Sequence, residues 1–395
     1  MKKGTVILSG IRTPFGKLGG SLGSLSASDL GGIVIKEAVI RAEILKRDVE
    51  SVIMGTVLQG GQGQIPSRQA AVKAGLPWEV KTETINKVCA SGLRSVTLAD
   101  QIIRAGDEEI VVAGGMESMS NAPYFLRDAR FGMMMGNSSL KDLMLEDGLT
   151  CSFTGSHMGL YGERAAKELQ ISRDEQDKWA LRSQVRAITA IQTKVFSEEI
   201  ISVQVQDRKG EKVLITQDEN PREDTTLEKL SKLKPVFEQG GRITAGNAPG
   251  VNDGAGALVL MCGERAEKEN RKPAAIILGH AEIAMEAKDF PKTPSLVIQK
   301  LLQKTGKTLE QIDLFEINEA FAAVTLATIK LVGLDPEKVN INGGAIALGH
   351  PIGASGARII ITLMNELKRR GGGIGIAAIC SGGGQGDAIM IEVPK

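Results

Sequence analysis

The tract Ala90-Ser91-Gly92-Leu93-Arg94 returns 264 residues later as Ala354-Ser355-Gly356-Ala357-Arg358, and this echo limits the possible fold more than any other feature of the chain. The same offset lays Ile53 on Ile317, each inside a short strand-like run. After each echo comes an amphipathic helix pattern, a stopping glycine (Gly106; Gly371) and an apolar strand pattern (110–113; 374–379). Because order and spacing are both kept, the chain reads as two similar α/β halves.

Between residues 5 and 115, short β-branched runs alternate with helix-length segments, the idiom of a buried sheet covered by helices. From about 121 to 247 the character changes. Phe131-Gly132-Met133-Met134-Met135-Gly136 reads as an apolar loop packed against something. Ser172 and Glu175 form a capping box that opens a helix expected to run to Phe196. Residues 197–241 read as a charged, irregular, solvated insertion, and 252–260 return to the buried-strand pattern. The chain therefore divides into a first half (1–120 plus 248–270), an inserted loop domain (121–247) and a second half (271–395).

At 395 residues the chain exceeds one ordinary core, and 42% apolar with 24% charged residues is the balance of a soluble globular protein. A net charge of +1 gives no electrostatic reason for a nucleic-acid or membrane surface. No run is long enough to span a bilayer. Four scattered cysteines without a disulfide pattern point to a reducing cytoplasm, and no Cys/His spacing suits a metal.

Cys89 falls where a strand (82–85) turns into a helix. Helix N-termini favour thiolates and can bring a cysteine down to about 3.5–7.5, so Cys89 reads either as a reactive nucleophile or as a buried structural thiol. There are three histidines. His350 lies in the glycine-rich loop 342–353 that feeds the second echo, the counterpart of the Cys89 turn; His157 and His280 read as ordinary packed or surface residues. If the halves are related by a pseudo-twofold, both turns face one cleft. Cys380 and Gly382 sit in Cys380-Ser381-Gly382-Gly383-Gly384, where exposed N–H groups could meet an anion. Asn318 lies between a strand and a helix, either as an N-cap or as a site residue.

Five motifs in this order resemble those of the thiolases: Val-Cys89-Ala-Ser-Gly, Asn-Ala-Pro-Gly-Val-Asn-Asp-Gly at 247–254, Asn318-Glu-Ala-Phe-Ala, Gly-His350-Pro-Ile-Gly and Cys380-Ser-Gly-Gly-Gly. Within that family the chain is most similar to the short bacterial acetoacetyl-CoA thiolases (acetyl-CoA acetyltransferases). The resemblance implies a duplicated five-layer αβαβα fold. It also implies reversible condensation of two acetyl-CoA molecules to acetoacetyl-CoA and CoA through an acyl-cysteine. Cys89 is then the nucleophile, His350 takes its proton, and Cys380 removes an α-proton from the second acetyl-CoA. His350 with a water on Asn318 forms one oxyanion site, and the N–H groups of Cys89 and Gly382 form the other. Arg222 falls where relatives contact the nucleotide end of CoA; His157, Met158 and Ala245 line the pantetheine or acyl pocket, and Phe321 walls it.

Two departures stand out. Pro249 replaces a serine that bonds pantetheine in many relatives, and residues 290–294 lack the usual Met-Gly-x-Gly-Pro-x-Pro pattern. The coenzyme A thioesters are substrates, so no cofactor or metal is implied. The expected assembly is a cytoplasmic homotetramer, a dimer of dimers, without nucleic-acid or membrane partners. A broad-chain 3-ketoacyl-CoA thiolase and a non-catalytic acyl-CoA- or lipid-binding relative are the alternatives.

Overall fold

The structure is a computed structural model that describes residues 4–206 and 209–395. The first half runs β1 (Thr5–Arg12), α1 (Ala27–Arg41), β2 (Ser51–Gly55), α2 (Pro66–Lys73), β3 (Lys81–Ile85), α3 (Ser91–Ala105) and β4 (Ile110–Ser118). A long excursion with α4 (Met158–Glu168) and α5 (Arg173–Gln192) follows before β5 (Asn252–Cys262). The second half is β6 (Ala275–Ala284), α6 (Thr293–Thr305), β7 (Leu314–Ile317), α7 (Ala322–Val332), α8 (Ser355–Arg369), β8 (Gly373–Ser381) and β9 (Gln385–Val393).

Local chemistry explains where these elements start and stop. Ser26 and Asp29 form a reciprocal capping box ahead of α1, and Pro66, which needs no intrahelical N–H partner, opens α2. Gly106, at φ +85°, ends α3 in the left-handed conformation that glycine tolerates.

The duplication read from the sequence is present in the strand order. The sheet runs β3-β2-β4-β5-β1 and continues β6-β9-β8-β7, so β2-β4-β5-β1 and β7-β8-β9-β6 repeat one arrangement. In both, the first pair is parallel and the others antiparallel. Among the described residues the two half-sheets pair edge to edge at Val6 with Ile276 and Ile7 with Ala275. Strand β3 has no full counterpart; in its place Val339 makes a single parallel bridge to Phe315. One apolar cluster holds α1 and α2 on the first half-sheet, and another packs α6 and α7 on the second. Between the half-sheets, Leu93 and Val96 of α3 interleave with Ile359, Ile360 and Leu363 of α8, giving the five layers αβαβα.

The two central helices cross where the echoed glycines sit. A Cβ on Gly356 would lie 2.2 Å from the Leu93 amide nitrogen, and one on Gly92 would lie 2.8 Å from the Gly353 carbonyl oxygen. The echo therefore records a backbone-to-backbone contact that no larger residue permits.

Three expectations change. Helix α5 ends at Gln192 because Lys194 adopts a left-handed φ of +58°; Phe196 lies beyond it in the short turn Val195–Glu198. The charged stretch holds a two-stranded antiparallel pair (Val203–Gln206 with Lys212–Ile215) and a single helical turn, Leu227–Ser231. Finally, the apolar loop does not pack against its own chain: Phe131 is 88% exposed and Met135 99%.

Gly356→Ala should lower stability by about 3 kcal/mol, because the blocking atom is backbone and cannot move aside. Gly306→Ala, at φ +66° with open space around it, should cost only about 1 kcal/mol. Denaturant midpoints of the two variants check the difference.

Candidate active site

The Cys89 turn is built by its neighbours. Asn86 Oδ1 accepts from the Val88 N–H at 3.0 Å, Ser91 Oγ accepts from the Lys87 N–H at 2.8 Å, and the same hydroxyl donates to the Val88 carbonyl at 2.6 Å. These bonds hold Val88 at φ +46°, a conformation that a β-branched residue adopts only when its surroundings impose it. Cys89 is thereby presented at the floor of a cavity of about 290 Å³.

The second half supplies the facing turn. Gly349, at φ +109°, lets the chain pass Asn252, whose side-chain oxygen accepts from the His350 N–H at 2.8 Å. Asn252 Nδ2 also donates to the Gly16 carbonyl at 2.8 Å, so the 247–254 motif ties the His350 loop to the first half. The His350 ring meets Ser355 Oγ through Nδ1 at 2.6 Å, and Ser355 donates to the Pro351 carbonyl at 3.0 Å. With its only proton committed there, Ser355 accepts from Nδ1–H, which leaves Nε2 unprotonated and able to accept. Nε2 faces Asn318 Nδ2 at 3.4 Å. Asn318 is no N-cap, since Phe321 holds that position before α7. Its Oδ1 is buried without a partner among the described residues.

Cys89, His350, Gly382, His157, Met158, Pro249 and Phe321 all line the cavity. Cys380 lies behind the lining, fully buried in an apolar cluster with Ala320 and Phe321. Arg222 and Ala245 line an adjoining cavity of about 280 Å³. Both cavities share Ala248 and Gly250, which stand between the exposed Arg222 and Cys89. His157 caps α4, accepting from the Gly159 N–H at 3.1 Å, and stacks on Phe237 with ring centroids 4.7 Å apart. Where the family pattern at 290–294 is missing, the buried Phe290 ring supplies the wall. Pro249 presents only its ring, with no hydroxyl.

The electrostatics overturn one expectation. Burial pushes the Cys89 thiol up to about 12, outweighing the Gly382 and Cys89 N–H groups that favour the thiolate; the charge of Glu117 raises it further. The helix N-terminus does not win because the half-buried thiol faces the apolar wall of the cavity in place of much of its water. Burial also holds Cys380 well above its ordinary value, with the nearby Cys89 adding to the rise. Burial, and then the positive charge of Arg358, bring His350 down to about 3. At neutral pH the site holds two thiols and a neutral imidazole.

Two buried carboxylates frame the site; Glu319 falls within the Asn318 motif, and Glu117 has no counterpart in the sequence reading. Glu117 accepts from Thr56 Oγ1, the Val57 and Leu58 N–H groups, and the Gly353 N–H, and burial lifts it to about 7. Glu319 accepts from Trp179 Nε1, Ser183 Oγ, Asn340 Nδ2 and the Ile346 N–H, all within 3.0 Å. A signal for Ser355 was present: it occupies the place of Ser91 in the echo, and each serine braces the functional turn of its own half. No local signal marks Glu117. Among the described residues, no group of histidines, cysteines or carboxylates is arranged to hold a metal ion. No described helix is long and apolar enough to cross a membrane.

Comparison with known proteins agrees with this architecture. The thiolase N-terminal domain family matches residues 5–264 and the thiolase C-terminal domain family residues 271–393. The chain belongs to the thiolase family. It is 50% identical over 391 residues to the acetyl-CoA acetyltransferase of Escherichia coli K12, covering 99% of each chain. It is 48% identical to the acetyl-CoA acetyltransferase of Cupriavidus necator, covering 98% of each. The crystal structure of the Bacillus anthracis acetyl-CoA acetyltransferase superposes with a TM-score of 0.97 at 41% identity, covering 99% of both chains.

If burial sets the Cys89 thiol, its alkylation by iodoacetamide should climb about tenfold per pH unit from neutrality without levelling off below about pH 10. Mass spectrometry of the Cys89 peptide reads this directly; a plateau near pH 7 would mean a thiolate–imidazolium pair instead.

Proposed function

We propose that the protein is an acetyl-CoA C-acetyltransferase that catalyses the reversible condensation of two acetyl-CoA molecules to acetoacetyl-CoA and free CoA. The observation that carries this reading is the meeting of Cys89, His350 and Gly382 in one cavity, with Cys380 and Asn318 immediately behind it. The full-length relatives named acetyl-CoA acetyltransferase support the choice of acyl group. So does the crowding of the cavity by Met158, Phe290 and Phe321, which favours a short chain over the broad-chain alternative.

Proton balance orders the steps. Cys89 sulfur attacks the thioester carbonyl and its proton passes to His350 Nε2, while the new oxyanion meets the N–H groups of Cys89 and Gly382. Collapse breaks the bond to CoA sulfur, which leaves with the Cys380 proton. Acetyl-Cys89, a Cys380 thiolate and an imidazolium remain. Cys380 then removes a proton from the methyl of a second acetyl-CoA. The enolate oxygen is held by His350 Nε2–H and a water on Asn318, which matches the partnerless buried Asn318 Oδ1. The carbanion attacks acetyl-Cys89, and the departing Cys89 sulfur recovers its proton from His350. The cycle ends with two thiols and a neutral imidazole, the forms that burial favours.

The inserted segment 121–247 and the adjoining cavity would hold CoA, with Arg222 toward the nucleotide end, Ala245 along the pantetheine, and His157 near the thioester. Pro249 forfeits the pantetheine bond that a serine would make. The exposed Phe131–Met135 loop supports assembly of a homotetramer from two dimers, and the four free cysteines suit the cytoplasm.

Brief exposure to acetyl-CoA should add one acetyl group to the wild type and none to Cys89→Ser, as read by intact mass. A wild type that binds acetyl-CoA without being acetylated would favour a binding protein. Asn318→Ala should lower kcat about 10²–10³-fold, as loss of an oxyanion donor does, while leaving the acetylation of Cys89 largely intact.

A further inference from the structure

The N–H groups of Cys89 and Gly382 must converge on one oxygen, yet they come from different halves of the molecule. Lys87, two residues before the nucleophile, links the two. Its main-chain carbonyl accepts from Ser381 Oγ, on the residue that follows Cys380. Its ammonium lies 2.8 Å from Asp387 Oδ1 and 3.0 Å from Oδ2, and also pairs with Glu282. Asp387 follows Gly386, the residue paired with Cys380 across β8 and β9. Lys87 therefore grips both strands of this hairpin, on either side of the Cys380–Gly386 pair.

The grip is sheltered. The Asp387 side chain is 2% exposed and that of Lys87 12%, so their attraction is little screened; Glu282, 54% exposed, adds less. Between Lys87 and Cys89, the Val88 side chain lies against Gly382, where a Cβ would come within 3.3 Å of it. A shift of the 86–89 turn along the hairpin would move the Cys89 N–H relative to the Gly382 N–H.

We propose that Lys87 is a positioning residue, whose two-point grip on the β8–β9 hairpin sets the spacing of the Cys89 and Gly382 N–H groups on which acyl transfer depends. The inference rests on the assignment of Cys89 as the acetylated nucleophile. Removing the ammonium loosens one of the two points, and a displacement on the order of 1 Å at such a site costs about 10²-fold in rate.

The test measures kcat, KM for acetyl-CoA and the rapid-quench rate of Cys89 acetylation in the full-length wild type, Lys87→Met, Lys87→Arg, Asp387→Asn and the Lys87→Met/Asp387→Asn double variant. Lys87→Met should lose about 10²-fold in both kcat and acetylation rate with KM changed by less than about threefold. Lys87→Arg should recover most of the loss. Asp387→Asn, which provides the test if Lys87→Met does not fold, should behave like Lys87→Met, and the double variant should be no slower than either single one. Wild-type acetylation rates in Lys87→Met and Asp387→Asn, or multiplicative losses in the double variant, would overturn the proposal. A wild type that takes no acetyl group at Cys89 would instead overturn the nucleophile assignment on which it rests.

Discussion

At the crossing of α3 and α8, the Leu93 amide nitrogen stands where a side chain on Gly356 would be, and the Gly353 carbonyl stands where one on Gly92 would be. This contact fixes how far apart the two halves sit. Each helix begins just after a functional turn, Cys89 ahead of one and His350 ahead of the other. Their close approach brings two remote pieces of sequence into one cavity. The sheet itself does little of this work, because among the described residues the half-sheets share two residue pairs. The buried apolar layer between them, from Leu93 and Val96 to Ile359 and Leu363, supplies the hydrophobic driving force.

The same burial sets the chemistry. Burial against the apolar lining raises both thiols and lowers the imidazole, so Cys89, Cys380 and His350 all rest uncharged. In the proposed mechanism, charge develops only when a substrate carbonyl arrives, facing donors already in place. The two buried carboxylates are held by hydrogen bonds, and the charge of Glu117 adds to the rise of the Cys89 thiol. Glu319 is held by four donors that bind the Asn318 loop to α5 and to the 340–346 segment, and Glu117 is held by four that bind the β2–α2 loop to Gly353.

Much of the fold is legible from the sequence because duplication leaves a trace that spacing preserves. The echo at 90–94 and 354–358, the stopping glycines and the apolar strands all reappear as matching elements. The failures share a cause. The end of α5 depends on a left-handed Lys194, which no periodicity announces. The exposure of Phe131–Met135 depends on what the rest of the chain leaves uncovered. Asn318 could be read as a cap or as a site residue because both use the same side-chain oxygen; only the position of Phe321 at the start of α7 separates them.

By itself the sequence determined the repeated α/β pattern, because helix and strand periods are local properties, and its motifs carried the resemblance to the thiolases. The tertiary structure decided how the residues of those motifs behave. Lys87 meets Asp387 across 300 residues of sequence, and Asn252 holds the His350 N–H from 98 residues away. The ionisation of Cys89 was decided in the same way. A helix N-terminus in water favours a thiolate, but here the half-buried sulfur faces an apolar cavity wall, and desolvation prevails.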